Sequence, residues 1–184
     1  MSNKSELLAN EIETKKIELL QERIDNNSKL INDLTNKLVA DYCKQLDAYI
    51  KFIKNILDDN DHPPTAQELD DFVMNLPILL YFCGEAQENL GIKNDVAKAV
   101  KQEKYNEIYN ELQKGTISDK TSKAELAVQS EEITRIIYDR AYKIVKEKMN
   151  AAYELLGSIK KVITRRINET NLTNIDESRF KTKF

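Results

Sequence analysis

The chain has 184 residues, a formal net charge of −3 and one histidine. That charge excludes a global attraction to nucleic acid or to acidic membranes, and the length holds one domain, or a small domain with a helical extension. With 4 glycines and 3 prolines against a background rich in Lys, Glu, Leu, Ile and Asn, turn-rich β folds are excluded and long helices favoured.

Residues 1–27 read as a helical arm. Leu7, Leu8, Ile12, Ile17, Leu19, Leu20 and Ile24 make a narrow apolar stripe on a charged cylinder, as in a coiled-coil strand or a docking arm, and a mobile N-terminal helix fits equally. Asn26 and Asn27 weaken the helix, and Ser28 is placed to cap a new one. From there to about Leu57, Leu30, Ile31, Leu34, Leu38, Tyr42, Leu46, Tyr49, Ile50, Ile53 and Leu57 recur at helical spacing, which predicts one continuous apolar face. The run from Asp58 to Pro64 ends it, because proline lacks an amide donor and disfavours helix in the residue before it.

Thr65 and Glu68 form a capping-box pattern. A short helix to about Met74 is expected, then a second with Pro77 in its first turn, or one helix kinked at Pro77. Ile78 to Cys83 is the most apolar stretch and is expected to be buried on all sides. Gly91 reads as a helix stop, Asp95 as the next cap and Gly115 as the next stop. From Ser122 to Asn168 there is no proline and one glycine, Gly157, predicting a single helix of roughly 70 Å at 1.5 Å per residue. Such a rod needs partners along its length, from this chain or from copies of it.

The expected fold is therefore all-α: an elongated helical bundle with a long C-terminal helix and coiled-coil character. Its parts are the arm 1–27, a helical domain 28–168 that includes the long helix 122–168, and a flexible polar tail 169–184. The N-terminus lacks an apolar signal region, and no apolar run approaches the roughly 20 residues that span a bilayer, so the expected location is the cytoplasm, away from membranes.

Little in the sequence points to catalysis. His62 stands in an acidic, Pro-rich loop without a partner for acid–base work. Cys43 and Cys83 lack metal-ligand spacing and are expected to be free, buried thiols. The acids at 58–61 lack the spacing and glycine of a calcium loop, and the adjacent pairs Asp70–Asp71 and Glu131–Glu132 diverge around a helix. No catalytic residue, metal or cofactor is expected.

Charge is distributed unevenly. Between Arg140 and Arg166 there are eight basic and two acidic residues, a net +6 that leaves −9 for the rest. Lysines and arginines on one helix face neutralise phosphates, and interleaved Tyr138, Tyr142 and Tyr153 have rings that can stack on unpaired bases. The plainer alternative is a solvated helix face with half-buried tyrosines, or a stripe that pairs with an acidic face of another copy. A second basic set comprises Lys98, Lys101, Lys104 and Lys114 with Tyr105 and Tyr109, interrupted by Glu103, Glu107 and Glu111.

The order of these features, a Lys/Tyr helix ending in Lys114-Gly115, a loop to Thr121-Ser122-Lys123, and a long helix ending in Lys160-Lys161-Val162-Ile163-Thr164-Arg165-Arg166, resembles the UvsY-type recombination mediators of tailed phages. The resemblance covers 98–166. It implies a homo-oligomer that holds single-stranded DNA and helps load a recombinase onto strands coated by single-strand binding protein. On that basis Lys101, Lys104, Lys114, Lys160, Lys161, Arg165 and Arg166 would contact phosphates, and Tyr105 and Tyr109 would stack on bases. Two other readings stand beside it: a helical structural or assembly protein of a phage particle, and a small inhibitor that docks on a host or defence protein.

Overall fold

A computed structural model describes the backbone of residues 2–59, 61–112 and 114–181, and the side chains of 15–59, 61–112 and 114–172. The described residues form four helices and no strand: α1 (Ser2–Leu57), α2 (Ala66–Glu111), α3 (Ile117–Ala127) and α4 (Gln129–Lys181). The fold is an all-α helical bundle. Among the described residues no helix is long and apolar enough to cross a membrane.

The expected start of α2 is built as the sequence suggests. At α2 the Thr65 amide donates to Glu68 Oε2 at 2.8 Å, and the Glu68 amide donates to Thr65 Oγ1 at 3.2 Å. Two otherwise orphaned amides at the helix start thus find oxygens. Thr116 and Asp119 repeat the device at α3, within the stretch expected to be a loop. Gly115 precedes it with φ +130°, a conformation in which a Cβ would be strained.

Several expected breaks are absent. Helix α1 passes through Asn26–Asn27–Ser28 without interruption, so no break sets residues 2–27 apart from the rest of the helix. Asparagine in a helix interior costs at most roughly 0.7 kcal/mol, too little to stop a helix continued on both sides. Helix α2 likewise runs through Pro77, Gly84 and Gly91. Leu76 and Leu80 are fully buried on either side of Pro77, and their packing outweighs the missing amide. Gly91 keeps a negative φ and lies against the Tyr142 ring, where an added Cβ would sit 3.5 Å from Cε2. It is a packing position, and Asp95 caps nothing.

The C-terminal rod is divided where the sequence shows no sign of it. The chain turns at Val128, whose carbonyl accepts the Glu132 amide at 3.0 Å, so 117–127 is a separate helix and α4 begins at Gln129. Ala124 and Val128 are both buried at this turn. At the other end the backbone is helical as far as Lys181, beyond the expected end near Asn168. Residues 182–184 of the expected tail lie outside the described residues. Thr134, Ser158, Thr164 and Thr170 each donate to the carbonyl four residues back, which lets hydroxyl residues sit inside α4.

The chain divides into two compact units, Met1–Leu38 with Lys93–Ala141, and Val39–Ile92 with Tyr142–Phe184. In the second, α1 and α2 are antiparallel, as the Tyr49–Asp71 and Cys83–Tyr42 hydrogen bonds require. The α2 and α4 segments are antiparallel too: Gly84 lies beside Met149, Gly91 beside Tyr142, and Arg166 donates to the Pro64 carbonyl at 2.6 Å. The core is large-residue packing from all three segments, with Leu46, Ile53, Phe72, Leu76, Leu80 and Val145 essentially inaccessible. Each such side chain contributes about 1.5–3 kcal/mol. The apolar face of α1 is narrower than expected, because Leu30, Leu34 and Leu57 remain exposed.

The first unit has a smaller core. Among the described residues its buried apolar side chains are Ala97, Ala124, Val128, Ile137 and Ala141, and Thr35 is a buried polar one. Arg23 donates to Gln129 Oε1 at 3.0 Å, linking α1 to the start of α4.

Candidate functional site

The nine residues singled out for DNA contact fall into two groups, one in each unit. In the first unit, Lys101 Nζ lies 3.0 Å from Glu132 Oε2, and Lys104 Nζ lies 2.5 Å from Glu131 Oε1. Arg135 also grips Glu132, through Nε at 2.9 Å and Nη2 at 2.8 Å. The Arg135 guanidinium, with Lys101 beside it, holds the Glu132 carboxyl down at about 2 despite partial burial. Lys104 similarly lowers the Glu131 carboxyl. The two lysines are therefore neutralised within the chain.

Tyr105 and Tyr109 stack on one another, with ring centroids 6.1 Å apart and planes 16° apart, and Lys120 lies 6.0 Å over the Tyr109 ring. Both rings are half-buried, so each has a partner for one face already. Lys114 is exposed. A cleft of about 350 Å³ opens beside this cluster, between Lys101 and Tyr105 on α2, Glu125 on α3, and Gln129 and Glu132 on α4. Its walls carry both charges.

In the second unit, Lys160 and Lys161 are exposed on α4, and none of the ion pairs or hydrogen bonds among the described residues engages their ammonium groups. Arg165 donates to Glu169 at 2.8 Å on the exposed surface. Arg166 is half-buried and spends a guanidinium donor on the Pro64 carbonyl, which makes it a helix-end tether. Of the interleaved tyrosines, Tyr153 is exposed, Tyr142 packs on Gly91, and Lys93 lies 5.9 Å over the Tyr138 ring.

The groups considered for chemistry have no reactive setting. His62 is exposed and lies 3.5 Å from Asp59. Cys43 and Cys83 are free and buried, and burial pushes the Cys43 thiol up to about 12 and the Cys83 thiol up as well. A thiol held protonated is a poor nucleophile. No metal-binding group of His, Cys, Asp and Glu side chains occurs among the described residues.

The feature that sequence reasoning missed lies on α2. The stretch expected to be buried on all sides is buried on one side only. Leu76, Leu80 and Cys83 face the core, while Met74 is 70% exposed, Ile78 54%, Tyr81 65% and Phe82 54%. The second set advances by four, three and one residues, so it shares a helix face opposite the first. Tyr81 and Phe82 pack edge to face at 5.6 Å and give the patch a fixed centre. Comparison of the chain with protein-family models, curated proteins and solved structures finds no match.

Proposed function

We propose that this protein acts by binding through helix faces, as a helical assembly protein, and not by catalysis. The observation that carries the reading is the second apolar face of α2. Met74, Ile78, Tyr81 and Phe82 form a contiguous exposed patch with two aromatic rings. Exposed apolar patches of several hundred Å² mark interaction sites, and aromatic side chains are enriched at the centres of interfaces. A helix that is apolar on two opposite faces serves two neighbours, and the core occupies one of them. The protonated, buried thiols and the solvent-facing histidine support the non-catalytic part of the reading.

The test is occupancy of the patch. A photoactivatable benzophenone residue at position 81 should cross-link to a discrete protein species in cells that make the protein. An Ile78→Glu exchange should abolish the adduct. A probe that yields no adduct ends the reading.

A second reading follows the resemblance to the UvsY-type mediators: an accessory factor that binds single-stranded DNA and works with a recombinase and single-strand binding protein. The specific support is the exposed pair Lys160 and Lys161, whose ammonium groups hold no carboxylate of the described chain. Lys101 and Lys104, by contrast, lean toward the first reading, because their charges are already compensated. Fluorescence anisotropy of a labelled oligothymidine at two salt concentrations tests it. Affinity should fall steeply with salt, and an unchanged signal at micromolar protein removes the reading.

A further inference from the structure

Between Ala66 and Ile92, α2 contains Glu68, Asp70, Asp71, Glu85 and Glu88 and not one lysine or arginine. Asp70 and Asp71 stand at one end of the exposed Met74–Ile78–Tyr81–Phe82 patch, and Glu85 and Glu88 at the other. All four acids are exposed, and no ion pair among the described residues engages them. A partner for this face must bring apolar surface at its middle and positive charge at both ends.

Pairing α2 with α2 of another copy fails that requirement. In either direction it sets acids against acids, and like charges in register are repulsive. An exposed surface of α4 in the same unit does meet it. On α4, Lys146, Tyr153 and Lys160 are exposed at seven-residue spacing and so lie along one stripe, with Gly157 between the last two. Lys161 flanks the stripe. At Gly157 an added Cβ would meet nothing within 4 Å, so the stripe has a shallow point there.

The spacings match. Asp70 to Glu85 and Lys146 to Lys161 are each fifteen residues, ~22 Å at 1.5 Å per residue. Laid antiparallel with Ile78 opposite Tyr153, the two stripes bring Asp71 opposite Lys160, Asp70 opposite Lys161 and Glu85 opposite Lys146. Met74 then falls opposite the gap at Gly157. The parallel alignment that sets Asp70 against Lys146 places Asp71 against Glu147 and Ile78 against Glu154, an acid–acid clash and an apolar–acid mismatch.

We propose that the acid-framed apolar face of α2 in one copy of this chain binds the Lys146–Tyr153–Lys160 stripe of α4 in a second copy, antiparallel. The inference rests on the assembly reading above and names the partner. The contact is heterologous: each copy offers a donor face and an acceptor face that differ. Repetition of one such contact generates a ring if the rotation closes and a filament if it does not. The basic stretch of α4 thereby gains a protein target.

The experiment is a reciprocal charge exchange read by light scattering, with circular dichroism to verify folding. One variant carries Asp71→Lys with Glu85→Lys, the other Lys146→Glu with Lys160→Glu. No ion pair or side-chain hydrogen bond among the described residues engages these side chains, so neither exchange breaks one. Wild-type protein at about 100 μM in low salt, where charge contacts are least screened, should run at two or more times the 21.3 kDa monomer mass. Each variant alone should be monomeric. The two mixed in equal amounts should regain association, because each face of one variant then meets an opposite face of the other. The benzophenone at position 81 should map to an α4 peptide around residues 149–157.

The inference is overturned by a monomeric wild type, by variants that associate alone, or by folded variants whose mixture stays monomeric. Association that appears only when oligothymidine is present also overturns it, in favour of the DNA reading. The photoprobe separates this failure from that of the assembly reading. An adduct with a different protein sinks the self-contact alone, and no adduct sinks both.

Discussion

Lys148 Nζ on α4 lies 2.6 Å from each carboxylate oxygen of Asp47 on α1. The pair is 101 residues apart in sequence and sits half-exposed at the edge of the larger core. Solvent screens much of its attraction. A double-mutant cycle with Asp47→Ala and Lys148→Ala, followed by urea unfolding, should give a coupling of about 0.5–1 kcal/mol. A coupling near zero would show that the contact orients α4 without stabilising it.

The glycines should separate by their backbones. Gly84→Ala should raise stability by about 0.5–1 kcal/mol, since a helix-interior glycine costs that much relative to alanine. The added Cβ meets only Met149 Cε at 3.7 Å, an ordinary contact. Gly115→Ala should lower stability by about 1–3 kcal/mol, because φ is +130° there. Thermal melts of the two variants provide the comparison.

Glu132 should make folding sensitive to acid. Its carboxyl is held at about 2 in the folded chain, below the ordinary 4.5, so its contribution is present above pH 4.5 and is lost as pH falls toward 2. Urea midpoints across that window should slope less steeply in Glu132→Gln than in wild type. Equal slopes would mean that Arg135 and Lys101 hold the carboxylate too loosely to matter.

Cys43 should make folding sensitive to base. Burial raises its thiol from 9.0 to about 12, so the folded state favours the protonated form. That contribution is complete below pH 9 and disappears as pH rises toward 12. Cys43→Ala should remove part of the alkaline loss, measured against wild type by urea unfolding. Native protein should also react slowly with a thiol-specific disulfide reagent at pH 8, and fast once unfolded.

If the chain binds single-stranded DNA, the two basic groups should contribute unequally. Lys160→Ala with Lys161→Ala should weaken binding to oligothymidine more than Lys101→Ala with Lys104→Ala. Each lost phosphate contact should reduce the salt slope by about 0.7. The reverse order would mean that Glu131 and Glu132 release their lysines to the ligand.

Where local chemistry dominates, the sequence was informative. The Thr65–Glu68 box acts over three residues and is built as read, whereas the equally local Thr116–Asp119 box stands where a loop was expected. Where local preferences are weak, packing decided the outcome. Asn26–Asn27 and Gly91 do not stop helices, while Val128, with no special chemistry, does end one. The candidate site follows the same division. That Lys101 and Lys104 have carboxylate partners was hidden, because Glu131 and Glu132 lie across a turn and a separate helix. The exposed face of α2 was hidden for another reason. In an unbroken apolar run two opposite faces interleave, and periodicity does not reveal which one the core takes.

The contrast between alanine- and valine-lined packing around Ala97, Ala124 and Val128 and leucine- and phenylalanine-lined packing around Phe72 and Leu80 has a kinetic corollary. Less apolar area leaves water when the former closes, so its amides should exchange hydrogen through low-energy local openings, while those near Phe72 should wait for global unfolding. A protease would accordingly nick the chain around Ile117–Ala127 long before it reached the middle of α2, giving the molecule one readily opened unit and one that resists.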